Sequence, residues 1–176
     1  MKIHRLEEFF INQQQHQQIG ELLQQCFSSY PKHRSFYKQV PNFRFLVFEK
    51  NNLIGHLAII HRLIKVGQEN FTIFGVSDLC VHPNYQQKNI ASILLKDLEI
   101  LGKDNNIDFI LLIAQDQKFY LKNNYKSFNN NCRWLIINEL ESLGLTQRSL
   151  DSALMIKPLN QKKWNDGMVD FMGSLF

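Results

Sequence analysis

The chain has 176 residues, of which 44% are hydrophobic and 20% charged, and 20 Lys+Arg against 16 Asp+Glu give a formal net charge of +4. This length supports a single domain over residues 1–176, and the composition excludes disordered and collagen-like chains. The small positive charge is too weak to indicate a nucleic-acid partner, but it is compatible with an anionic ligand.

The cysteines and the apolar runs indicate the cellular setting. Cys26, Cys80 and Cys132 are far apart and form no CxxC pair, which argues against a disulfide framework and against a zinc cluster. Residues 1–8 contain no apolar signal core, and the apolar run 109–114 is far shorter than the roughly 20 residues that span a bilayer. We therefore expect a cytoplasmic protein without a metal and without a membrane partner.

The first forty residues have a helical pattern followed by an aromatic and polar segment. Apolar residues repeat at helical spacing between Ile19 and Phe27, after a glutamine-rich patch at 13–18 that is either a loop or a first helical turn. The aromatic and polar stretch between Pro31 and Pro41 is either a second short helix or a loop over a binding cleft.

The remaining chain predicts an α+β fold with a mixed sheet. Three β-rich runs separated by short polar turns predict antiparallel neighbours; they cover 43–48, 53–66 and 71–81. An apolar stripe at i, i+4, i+8 and i+11 from Ile90 predicts a helix, and the run 107–114 predicts a strand covered on both faces. A short helix at 117–123 and strands near 133–138 and 152–157 complete the prediction.

The most informative segment is 79–91, a strand, a tight polar loop and a helix that starts near Asn89. The first N–H groups of a helix lack internal partners and lie at its positive end, so this arrangement can bind an anion. Lys88 adds a positive charge suited to phosphate. The alternative is an ordinary strand–loop–helix connection.

These residues resemble the GNAT acetyltransferase superfamily. Its pyrophosphate-binding signature is Gln or Arg, two residues, Gly, one residue, then Gly or Ala, and here it reads Gln86-Gln87-Lys88-Asn89-Ile90-Ala91. Asn89 replaces the family's glycine, which permits a positive φ and close approach to phosphate; asparagine is the next most tolerant residue there. The resemblance therefore implies a coenzyme site in which one position departs from the pattern.

A second match lies about thirty residues downstream, in the family's order. The segment 119–125 is similar to the family pattern Phe-Tyr, three residues, Gly-Phe or Gly-Tyr, with Asn124 in place of glycine. In the family the tyrosine, here Tyr120, lies near the coenzyme sulfur and often serves as general acid. The alternative is a core aromatic in a short helix.

The resemblance implies a fold, a cosubstrate and a set of site residues. The fold is a GNAT-like mixed, mostly antiparallel sheet with helices on both faces, and the cosubstrate is acetyl-CoA. The backbone of the strand before the signature would hold the pantetheine and polarise the thioester carbonyl, which nominates Leu79, Cys80 and Val81. The pyrophosphate would lie on the backbone between Gln86 and Ser92, which nominates Gln86, Gln87, Lys88, Asn89, Ile90, Ala91 and Ser92.

The base that accepts the proton of the incoming amine is less well defined. Asp78 lies at the end of the same strand, and a carboxylate among apolar neighbours either binds the amine or relays its proton; the alternative is an ion pair with a nearby lysine. By strand alternation His56 and His61 point to opposite faces, and a structural role is favoured for each. Cys80, in an apolar strand with no visible base, is interpreted as a small buried hydrophobe.

The last segment, 164–176, is unusually apolar for the end of a sequence and is predicted to fold back onto the protein. It is similar to the tail of the aminoglycoside 2′-N-acetyltransferases, a branch of the same superfamily. We expect Asp170 and Phe176, the latter through its carboxylate, to help bind a cationic substrate. The alternative is a tail that only closes the core or forms a dimer contact, so a homodimer stays open.

Together these features predict an acetyl-CoA-dependent N-acetyltransferase that acts by direct transfer on a primary amine of a small molecule, with an aminoglycoside-like amine as the most specific candidate. Two alternatives keep the fold. One is an acyltransferase with a longer acyl donor, and the other is a degenerate member that binds coenzyme A as a sensor or interaction module. No nucleic-acid-binding motif is present.

Overall fold

The computed structural model describes residues 1–176 and contains ten strands and three helices. The strands are β1 (Lys2–Glu7), β2 (Phe43–Glu49), β3 (Asn52–Val66), β4 (Glu69–Val81), β5 (Phe109–Ile113), β6 (Lys126–Phe128), β7 (Asn131–Asn138), β8 (Glu141–Ser149), β9 (Leu154–Pro158) and β10 (Val169–Ser174). The helices are α1 (Gln13–Cys26), α2 (Ile90–Asp104) and α3 (Lys118–Lys122), with 3-10 turns at Glu8–Phe10 and Pro83–Tyr85. The α+β class with a mixed, mostly antiparallel sheet is confirmed.

The chain divides into two compact units, and β3, β4 and α2 contribute residues to both. The first unit comprises Met1–Ile60 and Ser77–Lys96, and the second comprises His61–Val76 and Asp97–Phe176. The prediction of one domain over 1–176 stays a prediction. No helix in either unit has both the length and the apolar character needed to cross a membrane.

In the first unit, α1 packs against an antiparallel set of strands. β1 pairs with β2 and β2 pairs with β3, in registers that place Lys2 opposite Phe48 and Phe43 opposite Ile59. The buried apolar face of α1 joins strand residues in one cluster; its members include Ile19, Leu22, Leu23, Leu46, Leu53 and Cys80. This packing holds α1 against β2, β3 and the end of β4, which contains the candidate site residue Cys80.

The start of α1 decides how the glutamine-rich patch folds. The side chain of Asn12 accepts from the backbone N–H of Gln15 at 2.9 Å, while the Gln15 side chain accepts from the Asn12 N–H at 3.0 Å, so the two form a capping box. The patch at 13–18 is therefore the first part of the helix rather than a loop. Between Pro31 and Pro41 the chain forms turns and bends with no helix, which excludes the second-helix alternative.

The strands of the second unit form one hydrogen-bonded series. Its order is β6, β9, β5, β4, β3, β10, β7, β8. β4 pairs with β5 in parallel, as does β10 with β7, whereas β10 pairs with β3 antiparallel. The core of this unit combines aliphatic residues with aromatic ones, and Phe71, Phe109 and Phe171 are all buried. The final segment forms a strand of the sheet, β10, which the sequence patterns did not predict, and the same holds for β1, β6 and β8.

Candidate active site

The ladder between β4 and β5 is short, which leaves part of β4 beyond it. The pairing runs from Ile73 opposite Phe109 to Gly75 opposite Leu111, and β4 continues to Val81. In the first unit the end of this stretch is held by β3, because the backbone N–H of His82 donates to the carbonyl of Ile54 at 2.9 Å. The nominated residues Leu79, Cys80 and Val81 lie in this stretch, outside the ladder with β5.

Asp78 interrupts the extended backbone of β4 rather than ending the strand. Its φ is +24°, in the left-handed region, and three strand residues follow it. Its carboxylate accepts a hydrogen bond from the Tyr30 hydroxyl at 2.9 Å. Burial raises the pKa of Asp78 above its usual value, although hydrogen bonds from Tyr30 and Ser77 and the charge of Arg44 oppose the increase.

Tyr30 and Lys38 interact electrostatically with Asp78 in the first unit. Burial, followed by the charge and hydrogen bond of Asp78, raises the pKa of Tyr30, so its hydroxyl keeps its proton. Burial lowers the pKa of Lys38, while the negative charge of Asp78 partly offsets that decrease. The carboxylate thus lies in an environment that favours uptake of a proton.

A buried polar network lies beneath this part of β4. Arg44 is fully buried and forms a bidentate pair with Glu8, through Nε at 2.6 Å and Nη2 at 2.8 Å. Its Nη1 donates to the carbonyl of Ser35 at 2.7 Å and lies 3.0 Å from Nε2 of His56. The other ring nitrogen of His56 lies 2.9 Å from the carbonyl oxygen of Asp78. Arg44 and Glu8 were not predicted as partners of His56, because no local sequence pattern connects residues so far apart in the chain.

The loop before α2 has the backbone that the glycine-containing signature implies. Gln87 and Asn89 have φ values of +63° and +60°, and α2 begins at Ile90. Asn89 therefore adopts the left-handed conformation that glycine takes most easily. The amides of the first helical turn have no partner within the helix, and the ammonium of Lys88 lies 4.7 Å from the centre of the Tyr85 ring.

Contacts within the first unit hold this loop in place. The side chain of Gln86 donates to the carbonyl of Val81 at 3.3 Å, and the Tyr85 hydroxyl donates to Glu49 at 2.7 Å. Ile90 is buried, and its side chain would lie 3.1 Å from a Cβ placed on Gly55 of β3. His82 caps the 3-10 turn Pro83–Tyr85 by accepting from the Asn84 N–H.

The Cys80 side chain is buried in the apolar core of the first unit. It is 5% exposed and belongs to the same apolar cluster as the buried face of α1. The hydrogen bond with Cys26, followed by burial, raises the pKa of the Cys80 thiol. The side chain therefore stays a protonated thiol, in agreement with its interpretation as a small buried hydrophobe.

In the second unit, Tyr120 lies on α3, as the short-helix prediction requires. Burial raises the pKa of its hydroxyl, and the charge of Asp116 adds to the increase. Its ring packs edge-on against Tyr125, with 5.8 Å between the ring centres. Asn124, which replaces the second glycine of the pattern, has a φ of +65°, so both asparagine substitutions occupy left-handed positions.

A second buried network holds the turn after Tyr120. The ammonium of Lys157 donates to Glu99 at 2.8 Å and to the carbonyl of Asn123 at 3.0 Å. It also lies 5.5 Å from the centre of the Tyr125 ring, whose hydroxyl is buried with no hydrogen-bond partner. The carbonyl next to Asn124 is thereby fixed by a buried charge.

The final strand places the two nominated substrate residues within the second unit. Burial alone would raise the pKa of Asp170, but its hydrogen bonds with Arg133 and with the Met172 N–H lower it overall, and Arg133 forms an ion pair with it. Phe176 lies directly over Gly75 of β4, where a Cβ would be 2.0 Å from its ring, and Arg62 lies 5.2 Å from the ring centre. Asp170 therefore already has a cationic partner inside the protein.

The nominated residues divide between the two units. Asp78, Leu79 to Val81 and Gln86 to Ser92 belong to the first, whereas Tyr120, Asp170 and Phe176 belong to the second. The structure contains no group of three or more His, Cys, Asp or Glu side chains placed to hold a metal ion.

The family profile described as an acetyltransferase (GNAT) domain matches residues 10–128, which include β4, the loop before α2 and α3. The chain belongs to the GNAT acetyltransferase family. The comparison with curated protein sequences found no match.

Solved structures share the fold of this GNAT chain at low sequence identity. The GNAT family N-acetyltransferase YhbS from Escherichia coli, in complex with CoA, is 14% identical with a TM-score of 0.67, covering 96% of this chain and 88% of that one. An aminoglycoside 6′-N-acetyltransferase complexed with coenzyme A is 15% identical with a TM-score of 0.61, covering 93% and 100%. Similarity at this level establishes the fold alone.

A longer protein shows the same fold in one part of its chain. Eis1 from Mycobacterium abscessus is 13% identical with a TM-score of 0.63, and the match covers 76% of this GNAT chain. The chain matches only 33%, or about a third, of the length of that protein.

Proposed function

We propose that the chain is an acetyl-CoA-dependent N-acetyltransferase that transfers the acetyl group directly to a primary amine of a small molecule. The observation that carries the proposal is the loop before α2 in a GNAT chain. Two left-handed residues, Gln87 and Asn89, turn the backbone into the first turn of a 15-residue helix. This local geometry favours binding of a phosphate group to backbone amides.

The residues present fit a coenzyme pyrophosphate. The backbone amides from Gln86 to Ser92 would hold it, and Lys88 would add a positive charge. Asn89 fits because its φ of +60° is the conformation that the signature needs at this position. The cosubstrate supplies the activated acetyl thioester, and the protein's own residues must bind, orient and exchange protons with the reactants.

The stretch of β4 beyond the ladder with β5 supplies backbone groups for the acyl end of the cosubstrate. We assign Leu79, Cys80 and Val81 to pantetheine binding and carbonyl polarisation through their main-chain atoms. We assign Asp78 to the acceptance of the amine proton. Because burial raises its pKa, Asp78 is a stronger base than an exposed aspartate.

Tyr120 is assigned to protonation of the departing thiolate. A tyrosine must keep its proton until that step, and burial raises the pKa of this one. Its reference pKa of about 10 is already well above 7. The hydroxyl is therefore protonated at neutral pH and can donate.

The acceptor is proposed to be a cationic small molecule, with an aminoglycoside-like amine as the first candidate. Two neighbours by fold support this choice, the aminoglycoside 6′-N-acetyltransferase and an aminoglycoside acetyltransferase from a soil metagenomic sample in complex with sisomicin, which is 19% identical with a TM-score of 0.53. We assign Asp170 and Phe176 to the acceptor side. The pair with Arg133 offsets part of the charge of Asp170, so we expect its contribution to be small.

The proposal is tested by thiol release from acetyl-CoA over a panel of aminoglycosides, polyamines and simple primary amines. Tyr120→Phe should lower kcat by about 10²–10⁴-fold with the best amine, the usual cost of losing a positioned acid. Tyr125→Phe is the matched control, because it removes a hydroxyl that has no partner, and should turn over normally.

Calorimetric titration with acetyl-CoA, together with the turnover assay, distinguishes the proposed function from the two alternative hypotheses. Binding without turnover of any amine or of a longer acyl donor would indicate a sensor or interaction module instead of an enzyme. Turnover only with a longer acyl-CoA would replace the acetyl assignment. No affinity at millimolar acetyl-CoA would overturn the proposed function.

A further inference from the structure

A chain of buried hydrogen bonds in the first unit ends on one backbone carbonyl of β4. It runs from Glu8 to Arg44, from Arg44 to His56, and from His56 to the oxygen of Asp78 at 2.9 Å. Arg44 and His56 are both 0% exposed. Burying two such polar side chains is costly unless each is satisfied, and here the last link is made to the backbone of the proposed active-site strand.

The chemistry of the three groups fixes where the proton of His56 lies. A guanidinium can only donate, so Nε2 of His56 must accept from Arg44. The remaining nitrogen, Nδ1, then carries the hydrogen and donates to the Asp78 carbonyl, which can only accept. Burial, followed by the charge of Arg44, lowers the pKa of His56 to about 3, so the ring is neutral at neutral pH.

This bond sets the orientation of the peptide between Asp78 and Leu79. A trans peptide is planar, with its C=O and N–H on opposite sides. Holding the Asp78 oxygen towards His56 therefore aims the N–H of Leu79 away from His56. The φ of +24° at Asp78 is unfavourable for an L-residue, so the orientation needs such an anchor to persist.

A second anchor acts on the side chain of the same residue. The Tyr30 hydroxyl donates to the Asp78 carboxylate at 2.9 Å. With the carboxylate held by Tyr30 and the carbonyl held by His56, the peptide is fixed before any ligand arrives. Donors fixed in advance stabilise a developing negative charge without a reorganisation cost.

We propose that His56 is a positioning residue that directs the Leu79 N–H to the thioester carbonyl oxygen of acetyl-CoA. The inference rests on the proposed function and adds a specific donor and the side chain that orients it. As the amine nitrogen bonds to the carbonyl carbon, the oxygen gains charge and its hydrogen bond with Leu79 strengthens. When the C–S bond breaks, the thiolate takes a proton from Tyr120, and the amine gives its proton to Asp78.

The test compares three variants of the full chain. His56→Leu removes the hydrogen bond to Asp78, and His56→Gln keeps an amide that can both accept and donate. His61→Leu is the matched control on the same strand. We expect His56→Leu to lower kcat by about 10–100-fold, as for misplacement of a reacting group, with the Kd for acetyl-CoA changed less than about threefold. His56→Gln should recover most of kcat, and His61→Leu should keep it.

A spectroscopic measurement reports on the Leu79 amide directly. Coenzyme A and acetyl-CoA differ by the thioester carbonyl, so the amide proton of Leu79 in ¹⁵N-labelled protein should move downfield with acetyl-CoA relative to coenzyme A. In His56→Leu this difference should disappear while other coenzyme-induced shifts remain. A purely structural role for His56 would not remove the Leu79 response selectively.

The outcomes separate this inference from the proposed function. Coenzyme-induced shifts and turnover without a carbonyl-dependent shift at Leu79 would overturn the role of His56 and leave the proposed function standing. An equal loss of coenzyme affinity and kcat in His56→Leu, with the Leu79 response intact, would also overturn it. An absence of any coenzyme-induced shift in the unaltered protein would overturn both. If His56→Leu does not fold, the wild-type shift and His56→Gln decide the question.

Discussion

Two buried networks, one in each unit, hold a backbone carbonyl beside a residue assigned to catalysis. In the first unit Glu8 and Arg44 act through His56 on the carbonyl of Asp78. In the second unit Glu99 and Lys157 act on the carbonyl of Asn123, three residues after Tyr120. Each carbonyl lies at or next to a left-handed residue, Asp78 or Asn124.

The two networks differ in how many of their hydrogen bonds depend on a single side chain. Arg44 is fully buried and makes bonds to Glu8, His56 and Ser35 with a rigid planar group. Lys157 is a flexible ammonium, and its partner Glu99 also pairs with the half-exposed Lys103 at 2.6 Å. The first network should therefore fail as a whole when its arginine is lost, whereas the second should fail in part.

The largest expected effect follows from removal of Arg44. Arg44→Met leaves Glu8 without its buried partner, which typically costs about 3–5 kcal/mol of unfolding free energy. Arg133→Met is the matched control, because the ion pair of Arg133 with Asp170 is partly exposed and should be worth about 1 kcal/mol or less. Urea unfolding at pH 7 measures both. Similar losses in the two variants would contradict the contrast between a buried and an exposed arginine.

A smaller effect is expected from removal of Lys157. Lys157→Met frees the Asn123 carbonyl but leaves Glu99 paired with Lys103, so we expect a loss of about 1–3 kcal/mol, the cost of an unsatisfied buried group. The same urea experiment applies. A loss larger than that of Arg44→Met would reverse the ranking of the two networks.

Ionisation of the two aspartates assigned to the site, Asp78 and Asp170, should affect stability in opposite directions. Burial raises the pKa of Asp78, so its ionised form destabilises the fold above the unfolded pKa of about 3.9, and this cost disappears as pH falls through the folded pKa. Hydrogen bonds with Arg133 and with the Met172 N–H outweigh burial and lower the pKa of Asp170, so its stabilisation is present above the unfolded pKa and is lost as pH falls through the folded pKa.

This pH response is measured with two variants, Asp78→Asn and Asp170→Asn. At pH 7 Asp78→Asn should be more stable than the unaltered protein, and Asp170→Asn should be less stable. Both differences should shrink towards acidic pH in urea titrations. If both variants changed the unfolding free energy at pH 7 in the same direction, one of the two carboxylate environments would be described incorrectly.

The smallest effects concern the two asparagines that replace glycine. Asn89→Gly and Asn124→Gly should each change stability by no more than about 0.5–1 kcal/mol, because both residues already occupy left-handed positions. Alanine at either position should cost about 1–2 kcal/mol. Only the change at 89 should affect coenzyme affinity, which Asn89→Gly should keep or improve. A loss of affinity in that variant would argue for a direct role of the Asn89 side chain.

The periodic elements were predictable from local sequence, whereas the networks were not. The stripe of α2 follows the period of a helix, β3 and β4 are β-rich runs bounded by short polar turns, and the left-handed Asn89 and Asn124 follow from the family pattern. β8 was missed because nearly all its residues are exposed, so it has no alternation of apolar and polar positions. The bond between Arg44 and Glu8 joins residues 36 positions apart, and pairing at that separation depends on the fold.

The position of β10 between β3 and β7 has a consequence for folding during translation. β7 and β8 reach β3 only through β10, and Val169 follows its partner Val66 by about one hundred residues. At synthesis rates of about 5–20 residues per second, the edge of β3 that pairs with β10 stays unpaired for roughly 5–20 s after β3 is made. Unpaired strand edges of this kind template aggregation, so chaperones that shield nascent chains should raise the soluble yield of this protein.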